Sequence, residues 1–229
     1  MNDNINKNTV SDVAHSLVKG GLGTIPIIGS LATEIFGLIV TPPLEKRRAE
    51  WLNEVADKLK ELENNRKIIF TELAENEQFI DVVLQATTFA LKTSEKRKID
   101  CFRNAILNTA TGDSPDKIKS QIFLNQLDKF TVWHIIILAF IDSPRNWFKK
   151  NGKTPPNHMS GSIYSLIIEA FPDLKNQDEL VDIIWDDLKL TGFHKTGSLK
   201  TMMTGDGVLS DRTTTLGKEF LNFIKNEND

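Results

Sequence analysis

LEKRRAEWLNEVADKLKELE, residues Leu44 to Glu63, decides the fold class of this chain. Leu44, Trp51, Leu52, Val55, Leu59 and Leu62 recur at spacings of three and four, with Glu and Lys between them. That period predicts a long amphipathic α-helix, because side chains three and four apart share one helix face. Thr41-Pro42-Pro43 lies just upstream, and proline suits the first helical positions rather than the interior.

Downstream the same period continues. Glu63-Asn64-Asn65 bends or ends the first helix, and Ile68, Ile69, Phe70 and Leu73 resume the pattern. Phe79, Val82, Val83, Ala86, Phe89 and Ala90 form a further stripe. Ser94 is the expected cap of a helix carrying Ile99, Phe102, Ile106 and Leu107. Thr111-Gly112-Asp113 breaks the chain, and Ser114-Pro115 is the expected cap and first position of a helix with Ile118, Ile122, Phe123 and Leu127. Residues 44–129 therefore read as an all-helical bundle.

Upstream lies GGLGTIPIIGSLATEIFGLIVTPP, Gly20 to Pro43, the core of an apolar, Gly/Pro-rich N-terminal segment spanning residues 1–43. A helix over Ile25 to Val40 that starts after Pro26 rises only about 21 Å, short of a ~30 Å hydrocarbon core. Its large apolar residues contribute roughly −0.3 to −0.6 kcal/mol each to insertion, and a central charge such as Glu34 costs roughly +2.5 to +3.5. The terms nearly cancel, so the segment does not span a membrane constitutively on its own. Gly29, Thr33 and Gly37 nevertheless form a small-residue stripe that permits close helix contact, with Ile28, Leu31 and Ile35 on the opposing apolar face. Lys46, Arg47 and Arg48 follow, where anionic headgroups would attract each by about 1 kcal/mol. Two readings stand side by side: a buried helix of a soluble bundle, or a segment that engages a membrane when the protein assembles.

Composition bounds the rest. The chain has 229 residues, 40% hydrophobic and 26% charged, with a net charge of −3, which is the profile of a globular protein with a sizeable core. So small a net charge gives no global attraction to nucleic acid or anionic lipid. A single cysteine, Cys101, rules out an internal disulfide and a thiolate metal cluster. The polar N-terminal residues do not read as a secretory signal. The expected location is cytoplasmic, peripheral at the inner membrane if the N-terminal segment engages lipid.

Residues 130–229 read differently. Thr131 to Ile141 is a buried helix ending near Ser143-Pro144, followed by a polar loop over Asn151 to Ser160. Helices are expected from about Gly161 to Phe171 and from Asp178 to Thr191, the last stopped by Gly192. Phe193 to Leu209 is weakly β-like, and Thr213 to Ile224 forms a closing helix. The run ELVDIIWDDLKLTGF followed by TTTLGKEFLNFI resembles the recognition helix, wing and closing helix of the winged-helix superfamily. The expected fold is mainly α: an N-terminal helical bundle followed by a winged-helix-like C-terminal module. DNA binding is disfavoured, because Glu179, Asp182, Asp186 and Asp187 face only Lys189 in that helix, and phosphate contact needs Lys and Arg. Lys195, Lys200 and Arg212 do not reverse this balance, so the module is expected to contact protein.

No catalytic, cofactor-binding or metal-binding residues are expected. His15, His134, His158 and His194 have no ligand spacing, and nucleotide, hydrolase and zincin motifs are missing. His134 reads as a satisfied core histidine.

The run IVTPPLEKRRAEWLNEVADKLKELE, the middle FRNAILNTA and the later order HIIILAF to DLKLTGF are similar in layout to the abortive-infection alpha family. That resemblance implies a non-enzymatic part in bacterial phage defence or cell-suicide control and transfers no functional residue. The expected function is thus a defence-type helical protein whose N-terminal segment engages the membrane on assembly. The alternatives are a soluble adaptor that binds protein through its C-terminal module and, behind it, a DNA-binding regulator. The expected partners are a second copy or another protein, with membrane lipid next and nucleic acid last.

Overall fold

The computed structural model describes Gly37, residues 41–157 and residues 159–226. Ile28, Gly29, Leu31, Thr33 and Ile35, together with His15 and His158, lie outside these residues. Contacts divide the chain into two units, Met1–Lys58 and Leu59–Asp229.

The first helix, α1, runs Thr41–Asn64, with Trp51 and Val55 buried four residues apart. Leu52 and the basic triplet are exposed. Arg66 ends the helix in the left-handed region at φ 57. Its N–H donates to Glu63 O (2.9 Å) while that of Lys67 donates to Leu62 O (3.0 Å). This pairing satisfies carbonyls that the helix end would orphan.

In the second unit α2 (Phe70–Ala74) leads into α3 (Glu77–Ala90), α4 (Lys96–Ala110) and α5 (Lys117–Lys129). α3 packs along α4 and onto α5. Both expected serine caps are corrected. Glu95 precedes α4, and Ser94 only lies beside it. Asp116 caps α5, its Oδ1 accepting the Lys119 N–H at 3.0 Å. Pro115 stays outside that helix, and its carbonyl accepts instead from Gln78 Nε2 (2.7 Å) and Ser120 Oγ (3.1 Å). The inward phase of α5 is set by Phe123, Leu124 and Leu127, which leaves Ile118 and Ile122 exposed.

α6 (Val132–Asp142) is nearly all apolar and is followed directly by α7 (Pro144–Lys150), where Pro144 starts a new helix. Then come β1 (Ser160–Gly161), α8 (Ile163–Ala170), α9 (Asp178–Leu190), β2 (Met203–Thr204), α10 (Gly205–Val208) and α11 (Thr215–Ile224). β1 pairs antiparallel with β2, Ser160 opposite Thr204 and Gly161 opposite Met203. An isolated bridge joins His194 to Thr213. The fold is mainly helical, as expected, with this small ladder as the sheet among the described residues.

Aromatic rings join the two halves of this unit. Phe123 meets Phe220 at 5.5 Å and Phe193 at 6.0 Å, Phe130 meets both at 6.0 and 5.9 Å, and Phe193 stacks on Phe220 at 4.7 Å. Burial of each ring stabilises the fold by about 1.5–3 kcal/mol. α11 also lies against α4 and α6. There Asn104 Nδ2 donates to Ile224 O (3.1 Å), and Asn108 Nδ2 donates to Phe223 O (2.9 Å) and Lys225 O (3.0 Å). Two asparagines one turn apart thus cap the last carbonyls of a helix from far across the sequence.

Candidate functional site

α9 divides into two faces. Val181, Ile184, Trp185 and Leu188 are buried, and the helix packs on α6. The opposite face carries Ile183 and Leu190, which lie two turns apart and are 57% and 88% exposed. Glu179, Asp186 and Asp187 flank that pair, because steps of three, four and seven fall on one side of a helix. Among the described residues no ion pair holds Glu179 or Asp186. Asp178 and Asp182, further round, share Lys200 at 3.6 and 3.2 Å. The exposed aliphatic pair is thus framed by carboxylates, which repel phosphate.

α9 is held rigidly from behind. Trp185 Nε1–H donates to Gly197 O at 2.8 Å and tethers the following loop. His194 is fully buried, lies tilted against Trp185 at 3.9 Å between centroids, and its Nε2 lies 2.9 Å from Trp185 O. The carbonyl requires Nε2 to be the protonated nitrogen, which leaves Nδ1 as a lone pair, and that atom has no partner. Burial, with the charges of Lys189 and Arg212, pushes the His194 pKa down against the carbonyl hydrogen bond and Asp186.

His134 is the satisfied core histidine expected. Its Nδ1 accepts from the Thr131 N–H at 3.2 Å and lies 2.9 Å from Thr131 Oγ1, while Nε2 reaches Asp187 Oδ2 at 3.2 Å. Phe130 stacks on the ring at 4.8 Å. The hydroxyl–imidazole–carboxylate order is that of a hydrolase relay, but the imidazole also takes the backbone N–H of Thr131, the residue that precedes α6. The group is therefore a helix cap that pins α9 through Asp187. Burial lowers the His134 pKa more than Asp187 raises it.

A second surface of opposite character surrounds α7. Arg145, Lys149, Lys150 and Lys153 are exposed around the half-buried Trp147. Lys153 Nζ sits 5.4 Å over the Trp147 ring, and Phe171 meets that ring at 4.8 Å. Arg145 reaches Asp206 at 2.6 Å.

An open groove of about 460 Å³ lies between α3 and α5, lined by Asp81, Leu84, Gln85, Thr88, Gln121 and Asn125. Most of its polar groups are paired: Gln85 with Asn125 at 3.2 Å, Asp81 with Lys117 at 2.7 Å and the Thr88 hydroxyl with Leu84 O at 2.9 Å. Among the described residues no group of three or more His, Cys, Asp or Glu could hold a metal ion.

Of the residues singled out from sequence, Lys46, Arg47 and Arg48 are exposed on the first turns of α1, Lys46 lying 3.8 Å from Glu50. Gly37 is helical, and a β-carbon there would meet no atom within 4 Å among the described residues. The acidic residues of α9 were legible. Ile183 and Leu190 were not singled out, although their spacing of seven, out of phase with Val181, Ile184 and Leu188, was the available signal. The α7 patch was also missed, and its signal was the run RNWFKK after Pro144.

No known protein family, curated protein or solved structure matches this chain.

Proposed function

We propose that this chain is a non-enzymatic adaptor that binds a protein partner through the outer face of α9, within a winged-helix-like C-terminal module. The observation that carries the reading is the exposure of Ile183 and Leu190 between Glu179, Asp186 and Asp187. The order α6, β1, α8, α9, β2 and α11, with the loop after α9 bridged from His194 to Thr213, supports the winged-helix likeness. In that likeness α9 takes the place of the recognition helix, and its acidity suits it to protein. The complementary partner is an apolar patch edged by Lys or Arg.

Anisotropy of a labelled amphipathic peptide with a leucine stripe flanked by lysines, measured against the same peptide with glutamates, tests this. The lysine peptide binds the wild type and binds Ile183→Lys/Leu190→Lys at least about tenfold more weakly. Equal binding to both proteins rejects the α9 face. Salt-dependent binding of duplex DNA in place of the peptide would favour a DNA-binding regulator.

The exposed triplet Lys46, Arg47 and Arg48 supports a second reading, membrane engagement by the apolar segment before it upon assembly. No single helix among the described residues is long and apolar enough to cross a membrane, so the reading rests on residues 20–43. Flotation of full-length protein with anionic liposomes, compared with Gly29→Leu/Gly37→Leu, tests it; no flotation of the wild type under any assembling condition ends it. The layout likeness to the abortive-infection alpha family would set either activity in phage defence.

A further inference from the structure

The two surfaces of the Leu59–Asp229 unit are complementary to each other. α9 offers Ile183 and Leu190 edged by Glu179, Asp186 and Asp187. The α7 patch offers the half-exposed Trp147 and Phe171 edged by Lys149 and Lys150, with Arg145 held by Asp206 at 2.6 Å and Lys153 by the Ala170 carbonyl at 3.4 Å on its border. Each pairs an apolar centre with a charged rim, and the rims have opposite sign. Among the described residues no ion pair joins a residue of one surface to a residue of the other, so they do not close on each other within one chain.

We infer that the occupant of the α9 face is a second copy of this chain, docked through its α7 patch. This rests on the α9 reading above and names its partner. The contact is heterologous, because two different patches meet, so copies add head to tail into a ring or an open chain rather than closing as a two-fold dimer. Lysine stems and the Trp147 ring cover Ile183 and Leu190, while the ammonium groups reach the carboxylates. Opposite rims steer the encounter and fix its orientation, and salt weakens them.

Sedimentation velocity of the full chain in ~0.05 M and ~0.5 M salt, either side of the condition where screening acts over about 10 Å, tests this. The wild type associates, and more weakly in high salt. Glu179→Lys/Asp186→Lys and Lys149→Glu/Lys150→Glu each weaken association at least about tenfold, and an equimolar mixture of the two associates again, because each supplies the rim the other now lacks. All four positions are exposed, and matched circular dichroism spectra check that the variants fold. A monomer in low salt, or association that neither charge reversal changes, overturns the inference. The lysine peptide separates the two failures. A monomer that still binds it through α9 docks a different protein, whereas a monomer that does not bind it loses the α9 reading as well. Nucleic acid bound by a monomeric wild type and lost in Lys149→Glu/Lys150→Glu reassigns the α7 patch and also overturns the inference.

Discussion

Asn108 Nδ2 lies 2.9 Å from the carbonyl oxygen of Phe223, and this bond closes the end of α11 on the last turn of α4. The same amide reaches Asn222 O at 3.1 Å and Lys225 O at 3.0 Å, so one side chain serves the carbonyls that a helix end leaves unpaired. Asn108→Ala removes the donor, strands those acceptors, and destabilises the protein by about 1–3 kcal/mol. Asn108→Asp is worse, because a carboxylate meets the negative end of the α11 dipole. Urea unfolding of both variants checks the order.

Gly217 predicts a change of opposite sign to the usual rule. Alanine inside an exposed helix gains about 1 kcal/mol over glycine. At Gly217 a β-carbon would lie 2.6 Å from Phe193 O and 2.6 Å from Thr213 Cγ2. The first is backbone held by the Thr214 N–H at 2.9 Å and cannot swing aside. Gly217→Ala therefore lowers the thermal midpoint, with a loss of about 1–3 kcal/mol from overpacking.

Arg66 carries the reverse prediction. It occupies a left-handed conformation at φ 57 without glycine's freedom. Arg66→Gly relieves a cost of about 1 kcal/mol, offset in part by the greater entropy of glycine in the unfolded chain. The expected outcome is an unchanged or slightly raised urea midpoint, where alanine at the same site gives no gain.

Acid weakens the fold in a definite window. Burial lowers the folded pKa of both His134 and His194 below the ordinary ~6.5. Below that pH the unfolded chain binds protons that the folded chain resists, so stability is fully present above pH ~6.5 and is lost as pH falls beneath it. Urea midpoints measured from pH ~8 to ~5 should decline below ~6.5. His194→Gln/His134→Gln should flatten that decline.

Helix existence was legible because Val181, Ile184, Trp185 and Leu188, or Phe79, Val82 and Ala86, repeat at the helical period. Helix phase was not. Ile118 and Ile122 were counted with Phe123 in one stripe, yet Ile118 is 70% exposed, because an aliphatic letter is the same inside and outside. The caps misled for a related reason. Ser94 and Ser114 are good capping residues, but the turn chose Asp116 once Pro115 O was engaged by Gln78. A ladder of two residues per strand is too short to show a period of two. In the candidate site, the acidity of α9 was read directly, whereas the α7 patch depends on where Phe171 and Lys153 come to rest beside Trp147.

The ring cluster of Phe123, Phe130, Phe193 and Phe220 has a bearing on how the chain is made. Synthesis is vectorial, and Phe220 and the carbonyls capped by Asn104 and Asn108 leave the ribosome long after α4 and α5. Until they emerge, a nascent chain holds two buried-type phenylalanines and two cap-seeking asparagines with nothing to close on them. Contacts of such sequence separation slow folding. Arrested nascent chains that stop before Thr215 should therefore be protease-sensitive throughout α4 and α5, and extension past Lys225 should protect both helices together.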